Sequence, residues 1–106
     1  MSQPVRRRYL ALRIVSGHPL NEREVMSAIW DATLRIFGEY GVSRAGPTLI
    51  EYDPQKNRAI VRCSHLVLDM VRAAIASITE VNGKTSTFHV LGVSGTLRAL
   101  RKKALF

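Results

Sequence analysis

The sequence predicts an α+β sandwich with the element order β-α-β-β-α-β, built on a four-stranded antiparallel sheet and followed by a short basic helix. Three observations support this fold class. Apolar residues alternate near both ends of the chain, they recur at helical spacing in two internal stretches, and a turn sequence separates the two middle strands. The chain has 106 residues, enough for one buried core. We therefore expect a single domain over residues 1–106.

The first half of the chain predicts a strand and a helix. Residues 8–16 ("RYLALRIVS") alternate with period two, which is typical of a strand with one buried face. Asn21 is followed three residues later by Glu24, the pattern of a capping box. Apolar side chains then recur at helical spacing over residues 25–40, and Gly41 is the predicted left-handed end of this helix.

The second half predicts a hairpin, a helix, a strand and the basic tail helix. The turn "DPQKN" joins two short strands, because Pro fixes φ and the Asp and Asn side chains bond locally. The predicted elements are strands over residues 47–53 and 58–64, a helix over about 64–80 ended by Asn82-Gly83, a strand over 85–93, and a tail helix over about 96–105. This order is the ferredoxin-like split βαβ arrangement, in which two helices cover one sheet face and leave the other face open.

Charge is concentrated at the two ends of the chain. The formal net charge is +8. Residues 1–13 hold four Arg and no acid, and residues 81–106 hold five basic residues and no acid. Residues 14–80 hold seven basic residues and all eight acidic ones. Two cationic ends on a near-neutral domain favour a polyanionic partner over a merely solubilising charge run.

The segment "LGVSGTLRALRKKALF" leads from the last strand into the basic tail. A nucleophile elbow around Ser94 would need Gly at position 96, where this sequence has Thr, and the Gly-Lys-Ser/Thr ending of a P-loop is absent. Ser94 or Thr96 is instead expected to cap the tail helix, while Gly92 and Gly95 permit a sharp exit from the strand. A helix start followed by cations also fits a nucleic-acid phosphate.

Three other side chains are candidates for chemistry or binding. Cys63 and His65 share a strand face, but Cys63 alternates with apolar residues and is expected to be a core thiol. No Cys, His or Asp cluster has metal-ligand spacing, so we expect no metal site. Trp30 flanks the core stripe of the first helix and is also a candidate anchor for a protein partner.

The open sheet face lacks the aromatic pairs that stack RNA bases. The third predicted strand has no aromatic residue and the first offers only Tyr9. Arg13, Arg58 and Arg62 remain available for contacts with a nucleic-acid backbone. Binding is therefore expected to be electrostatic and steeply salt-dependent.

Five segments together resemble one known family, archaeal ribonuclease P protein component 2. They are "RRYLALRIVS", "AIWDATLRIFGEYGVSRA", "LIEYD", "AIVRC" and "HVLGVSGTLRALRKK", in this order over roughly residues 6–103. The resemblance implies a small RNA-recognition-like subunit of the ribonucleoprotein that removes the 5′ leader of precursor tRNA, with catalysis carried by the RNA and its Mg²⁺. It also implies pairing with the TIM-barrel-like component 3 and self-association within a heterotetramer.

The expected function is thus a non-catalytic RNA-binding subunit of ribonuclease P in the cytoplasm, without a cofactor of its own and without membrane contact. The resemblance carries over the Gly92–Thr96 turn and its helix as an RNA or partner contact. The side chains expected to meet RNA are Arg6, Arg7, Arg8, Arg98, Arg101, Lys102 and Lys103. The alternatives are a small-molecule-binding regulatory module of the same topology and a hydrolase that uses Ser94.

Overall fold

The computed structural model describes residues 6–104, with residues 40–45 and 104 described only as members of their helices. The strands are β1 (Arg7–Ser16), β2 (Thr48–Asp53), β3 (Arg58–Ser64), β4 (Glu80–Val81) and β5 (Lys84–Ser94). The α-helices are α1 (Glu22–Ala45), α2 (Leu68–Ala76) and α3 (Leu97–Ala104), and a 3₁₀ turn (His65–Val67) precedes α2.

The sheet confirms the predicted α+β class. Its spatial order is β2-β3-β1-β5-β4, and each neighbouring pair is antiparallel. The predicted four strands correspond to β1, β2, β3 and β5. The two-residue β4 is an addition, so the prediction of four strands was short by one.

The prediction made the second helix too long. It ends at Ala76 rather than at Glu80, and Asn82-Gly83 does not terminate it. These two residues have φ angles of 54° and 78°, the left-handed pair that a type I′ hairpin turn requires. The turn lets Glu80–Val81 pair with Lys84–Thr85, which creates β4.

The first helix begins as predicted and ends later. The amide of Glu24 donates to Asn21 Oδ1 at 2.8 Å, and the amide of Asn21 donates to Glu24 Oε1 at 3.0 Å, which closes the capping box. The prediction that Gly41 ends the helix was wrong. The helix is interrupted at Gly38 (φ 76°, ψ −179°), and it then continues to Ala45, after which Gly46 has φ 51°.

The main core lies between the sheet and the two longer helices. β1 and β3 each turn every second side chain toward α1 and α2, as period-two strands do. Buried members of this core include Leu10, Leu12, Ile14, Ala59, Val61, Cys63, Val25, Ile29, Val71, Ile75 and Phe88. The opposite side of the sheet, called here the second face, carries a separate set of side chains.

Candidate nucleic-acid interface

The basic tail helix lies on the second face of the sheet. Leu100 of α3 is fully buried and packs with Ala11 of β1 and Ile60 of β3. Leu97 and two partly buried sheet residues, Tyr9 and Ile50, complete this small cluster. The second face is therefore covered at this point by the chain's own helix rather than left open.

The turn before α3 brings the strand, the helix and the N-terminal arginines close together. Thr96 Oγ1 accepts a hydrogen bond from the amide of Ala99 at 3.2 Å, which is the geometry of an N-cap. Ser94 Oγ accepts a longer bond, 3.4 Å, from the amide of Thr96. A methyl group at Gly95 would lie 3.6 Å from a guanidinium nitrogen of Arg8, so the turn passes close to that side chain.

The strand pairing explains why the two cationic ends of the chain meet. Tyr9 of β1 lies opposite Ser94 of β5 in the antiparallel register. The start of β1 is thereby placed beside the start of α3. Arg6 and Arg7 are exposed there, and Arg8 is half-buried and donates to the carbonyl of Arg7 at 3.0 Å. The sequence also predicts a basic N-terminal arm over residues 1–8, of which residues 1–5 lie outside the described residues.

One of the predicted RNA-binding residues is engaged inside the chain. Two guanidinium nitrogens of Arg101 donate to the two carboxylate oxygens of Glu51 on β2, at 2.8 and 3.1 Å. The hydrogen bond from Arg101 is the main reason that the pKa of Glu51 lies below its usual value. The same bond raises the pKa of Arg101. This bidentate pair holds α3 to the edge of the sheet.

A second predicted RNA contact also bonds within the chain. Lys103 Nζ donates to the carbonyl of Val93 at 2.9 Å. Its aliphatic stem crosses Gly92, where an added methyl group would lie 3.4 Å from Lys103 Cδ. Arg98 and Lys102 are exposed, and their side chains form no hydrogen bond or ion pair with the other side chains or backbone described in residues 6–39 and 46–103. On α3 these two side chains are the ones left to face a partner.

Trp30 lies on the other side of the molecule. It belongs to α1, in the helix layer, with 36% of its surface exposed, and Leu34 one turn later is 45% exposed. Trp30 is not part of the cationic surface, because α3 lies on the second face of the sheet and α1 packs against the opposite, core side. These two side chains form an apolar surface on the exposed side of α1.

The sequence analysis did not identify Glu51 as the residue that binds Arg101 and holds α3 in place. Glu51 and Arg101 are separated by 50 positions, and no local pattern connects them. Strict alternation from Leu49, which packs on the main core, would put Glu51 on the core side as well. The register irregularity between Leu49 and Glu51 instead places Glu51 opposite Ile60, on the second face. The sequence analysis named Arg62 as available for backbone contacts, but it could not show that the Nε atom of Arg62 is buried without a hydrogen-bond partner among the described residues.

The described residues hold no assembled catalytic centre around Ser94. Across residues 6–104, the side-chain hydrogen bond of Ser94 is the one to the Thr96 amide, with neither a histidine nor a carboxylate bonded to it. Within the same range, no group of three or more His, Cys, Asp or Glu side chains is placed to hold a metal ion. No helix in that range is long and apolar enough to cross a membrane.

Two remaining features concern the alternatives raised by the sequence. Cys63 is fully buried, and this burial raises the pKa of its thiol to about 11, so it is a core side chain.

A groove of 440 Å³ lies between α1 and residues 78–82, lined by charges of both signs, including Arg35 and Glu80. Asn82 Nδ2 donates to Glu24 across this groove. Its mixed lining favours no particular class of small ligand.

Comparison with known proteins places most of the chain in one group. The sequence pattern of the Rpp14/Pop5 family matches residues 8–105. The ribonuclease P protein component 2 of Pyrococcus abyssi is 43% identical over 98 residues, which are 92% of this chain and 83% of that protein. The protein of the same name from Methanosarcina mazei is 30% identical over 100 residues, which are 94% of this chain and 84% of that protein.

The fold has a counterpart among solved structures. A chain in the cryo-EM structure of yeast ribonuclease MRP superposes with a TM-score of 0.75 at 19% identity. The match covers 92% of this chain and 80% of the yeast one. At this identity the likeness concerns the fold.

Proposed function

The chain belongs to the Rpp14/Pop5 family, and on this premise we propose that it is a non-catalytic protein subunit of ribonuclease P. In this role it binds the catalytic RNA and stabilises the shape in which that RNA removes the 5′ leader from precursor tRNA. The observation that supports RNA binding best is the meeting of the two cationic chain ends at one end of the sheet, where Tyr9 lies opposite Ser94.

The contact surface proposed for RNA combines the N-terminal arginines with the outward side of α3. Arg7 and Arg8 supply charge from β1, and Arg6 supplies it from the residue before this strand. Arg98 and Lys102 supply charge from α3. Arg101 and Lys103 serve mainly to hold α3 against β2 and β5, because both are bonded within the chain. The RNA is thus met by a helix fixed on the sheet, and this arrangement lowers the entropic cost of binding.

The protein partners are a further part of the proposal. We assign component 3 and a second copy of this chain as partners, in a heterotetramer, on the strength of the family alone. The exposed Trp30 and Leu34 of α1 are candidates for one of these contacts, because exposed aromatic side chains often anchor protein interfaces. This surface is separate from the cationic one, so RNA and protein partners need not compete.

Catalysis is assigned to the RNA and the Mg²⁺ that it holds. The chain contributes electrostatic and structural support, without a cofactor of its own. The proposal includes a cytoplasmic location, which rests on the single, unpaired Cys63 as a thiol suited to a reducing compartment.

Reconstitution tests the proposal directly. An archaeal ribonuclease P RNA is combined with Mg²⁺, component 3 and this chain, and 5′ cleavage of a precursor tRNA is measured with each protein omitted in turn. We expect cleavage to fall markedly when this chain is left out and to be absent when the RNA is left out. Equal cleavage with and without the chain would contradict its role as a subunit, and cleavage without the RNA would contradict the non-catalytic assignment.

A further inference from the structure

A row of basic side chains crosses the second face of the sheet beside α3. Arg13 of β1 lies opposite Arg58 of β3, and on its other side it lies opposite His89 of β5. Directly opposed residues of antiparallel strands project from the same face with their Cβ atoms about 5 Å apart. Arg58, Arg13 and His89 therefore form one line across three strands, called here the Arg13 row.

One acidic side chain lies next to the Arg13 row, namely Asp53 of β2, which is directly opposite Arg58. β1, β3 and β5 contain no Asp or Glu. The row as a whole is still cationic, and the two carboxylates of β2 form hydrogen bonds elsewhere. Asp53 Oδ1 accepts the amides of Gln55 and Lys56 at 3.0 and 3.3 Å in the hairpin turn, and Glu51 is held by Arg101. Among the side chains described, those of residues 6–39 and 46–103, neither Arg13 nor Arg58 takes part in an ion pair or a side-chain hydrogen bond.

Opposed arginines weaken a sheet, because like charges directly across two strands repel each other. The fold nevertheless places Arg13 of the central strand β1 directly opposite Arg58 of β3. A purely structural position would be served equally well by a neutral polar residue. Repulsion between side chains that no contact within the fold offsets is typical of a binding surface.

The tail helix stops short of this row. Leu100 covers Ala11 and Ile60, which lie two residues away from Arg13 and Arg58 along their strands, a distance of about 7 Å. Arg13 and His89 are exposed and Arg58 is half-buried. The row thus forms a charged strip that adjoins α3 on the same face. It lies apart from the arginines at the start of β1, because Arg7 and Arg13 occupy opposite ends of that strand.

We propose that the Arg13 row is a second RNA contact, in which Arg13 and Arg58 bind backbone phosphates and His89 donates a hydrogen bond beside them. This inference rests on the proposed function and adds a second surface to it. The chemistry is that of backbone binding rather than base reading, since the row contains no stacking aromatic side chain and Tyr9 lies beside α3 at the other end of the face.

Salt dependence of RNA binding tests the row. The full chain is titrated against ribonuclease P RNA of Pyrococcus abyssi by fluorescence anisotropy, at KCl concentrations from about 50 to 200 mM. The test variant is Arg13→Gln/Arg58→Gln. The matched control is Arg23→Gln/Arg72→Gln, which removes the same charge from exposed positions on α1 and α2, on the helix side of the sheet. Thermal unfolding by circular dichroism verifies that each variant folds.

We expect the test variant to make the slope of log K against log[KCl] shallower by about 1.4 to 1.8, since each lost phosphate contact removes about 0.7 to 0.9. The control variant is expected to keep the wild-type slope. Should the double variant fail to fold, Arg13→Gln and Arg58→Gln are measured singly, each with an expected change of about 0.7 to 0.9.

Equal slopes for the test and control variants would overturn the inference, since the effect would then be one of net charge. A wild-type slope in the test variant together with weakened binding of component 3 would also overturn it, because a protein would then cover the row. If the wild-type chain itself fails to bind the RNA, the proposed function falls together with the inference. If the wild type binds the RNA and the test variant keeps the wild-type slope, the inference alone is overturned.

Discussion

Arg101 of α3 and Glu51 of β2 form a two-point ion pair that fastens the C-terminal helix to the far edge of the sheet. Their atoms approach to 2.8 and 3.1 Å, although 50 positions separate them in the chain. Both side chains remain partly exposed, at 43% and 37%, so water and salt weaken the pair. We regard it as a positioning contact that sets where α3 lies rather than as a large source of stability.

The ion pair makes the position of α3 dependent on pH. Because the pKa of Glu51 is lower in the folded chain than its usual 4.5, its contribution is present above about pH 4.5 and is lost as the pH falls through the folded value. We expect Glu51→Gln to lower the urea midpoint slightly at pH 7 and to have a smaller effect at about pH 3, relative to the wild type.

The control for this experiment is Asp31→Asn, which changes an exposed carboxylate that forms no ion pair within residues 6–104. A Glu51→Gln effect of the same size at both pH values would show that the carboxylate charge is not what holds α3.

The outward cations of α3 are expected to bind RNA without supporting the fold. Arg98→Gln/Lys102→Gln should make the salt slope of RNA binding shallower by about 1.4 to 1.8 and leave the thermal midpoint unchanged. Replacing Arg101 or Lys103 should instead alter the position of α3, because both are bonded to the sheet. Anisotropy titrations of ribonuclease P RNA and thermal unfolding measure the two effects. An unchanged slope in the Arg98/Lys102 variant would remove this side of α3 from the interface.

Leu100 is expected to be the main apolar anchor of α3. Its side chain is fully buried against Ala11 and Ile60, and truncating a buried Leu to Ala costs about 2–5 kcal/mol. A helix of eight residues is not stable by itself. We therefore predict that Leu100→Ala releases α3 from the sheet. In hydrogen exchange, the amide at position 100, which bonds to the carbonyl of Thr96, should lose its protection.

Amides of β1 and β3 serve as the internal control in that measurement, since they belong to the main core and should exchange as in the wild type. Leu97→Ala offers a matched variant on the same helix, because Leu97 is only half-buried. Full protection of α3 in Leu100→Ala would show that the ion pair and the Lys103 bond suffice to hold it.

Cys63 is expected to be unreactive in the folded chain. Burial raises the pKa of its thiol to about 11, so the reactive thiolate is scarce at neutral pH and the sulfur is inaccessible. Alkylation by iodoacetamide at pH 8 should be slow in the native chain and rapid in guanidinium chloride. The usual thiol pKa is 9.0, so the unfolded chain loses this proton first and the stability contributed by the neutral thiol declines as the pH rises from 9 toward 11. Rapid native alkylation would contradict the burial of Cys63.

The sequence was sufficient for the elements whose signals are local. Alternation in "RYLALRIVS" predicted β1, because a strand with one buried face must repeat every two residues. The capping pair Asn21 and Glu24 predicted the start of α1, since its two hydrogen bonds involve neighbours only three residues apart. The hydroxyl of Thr96 likewise predicted the start of the tail helix, because an N-cap bonds to an amide only three residues away.

The errors occurred where one local signal has two structural solutions. Asn82-Gly83 fits a helix end or a type I′ hairpin turn, and only the availability of β5 for pairing with Glu80–Val81 selects the hairpin. Three glycines, Gly38, Gly41 and Gly46, were possible helix ends. The structure places left-handed φ angles at Gly38 and Gly46, which depends on where the chain must turn to reach β2.

The sequence by itself determined the fold class, the two cationic chain ends and the family. The tertiary structure alone decided which cationic side chains remain available to a partner. Residue types set the charge, but ion pairs and hydrogen bonds depend on distances in space. Arg101 meets Glu51, Lys103 meets the Val93 carbonyl, and Arg13 meets Arg58, each through strand register and helix packing that join residues far apart in the chain.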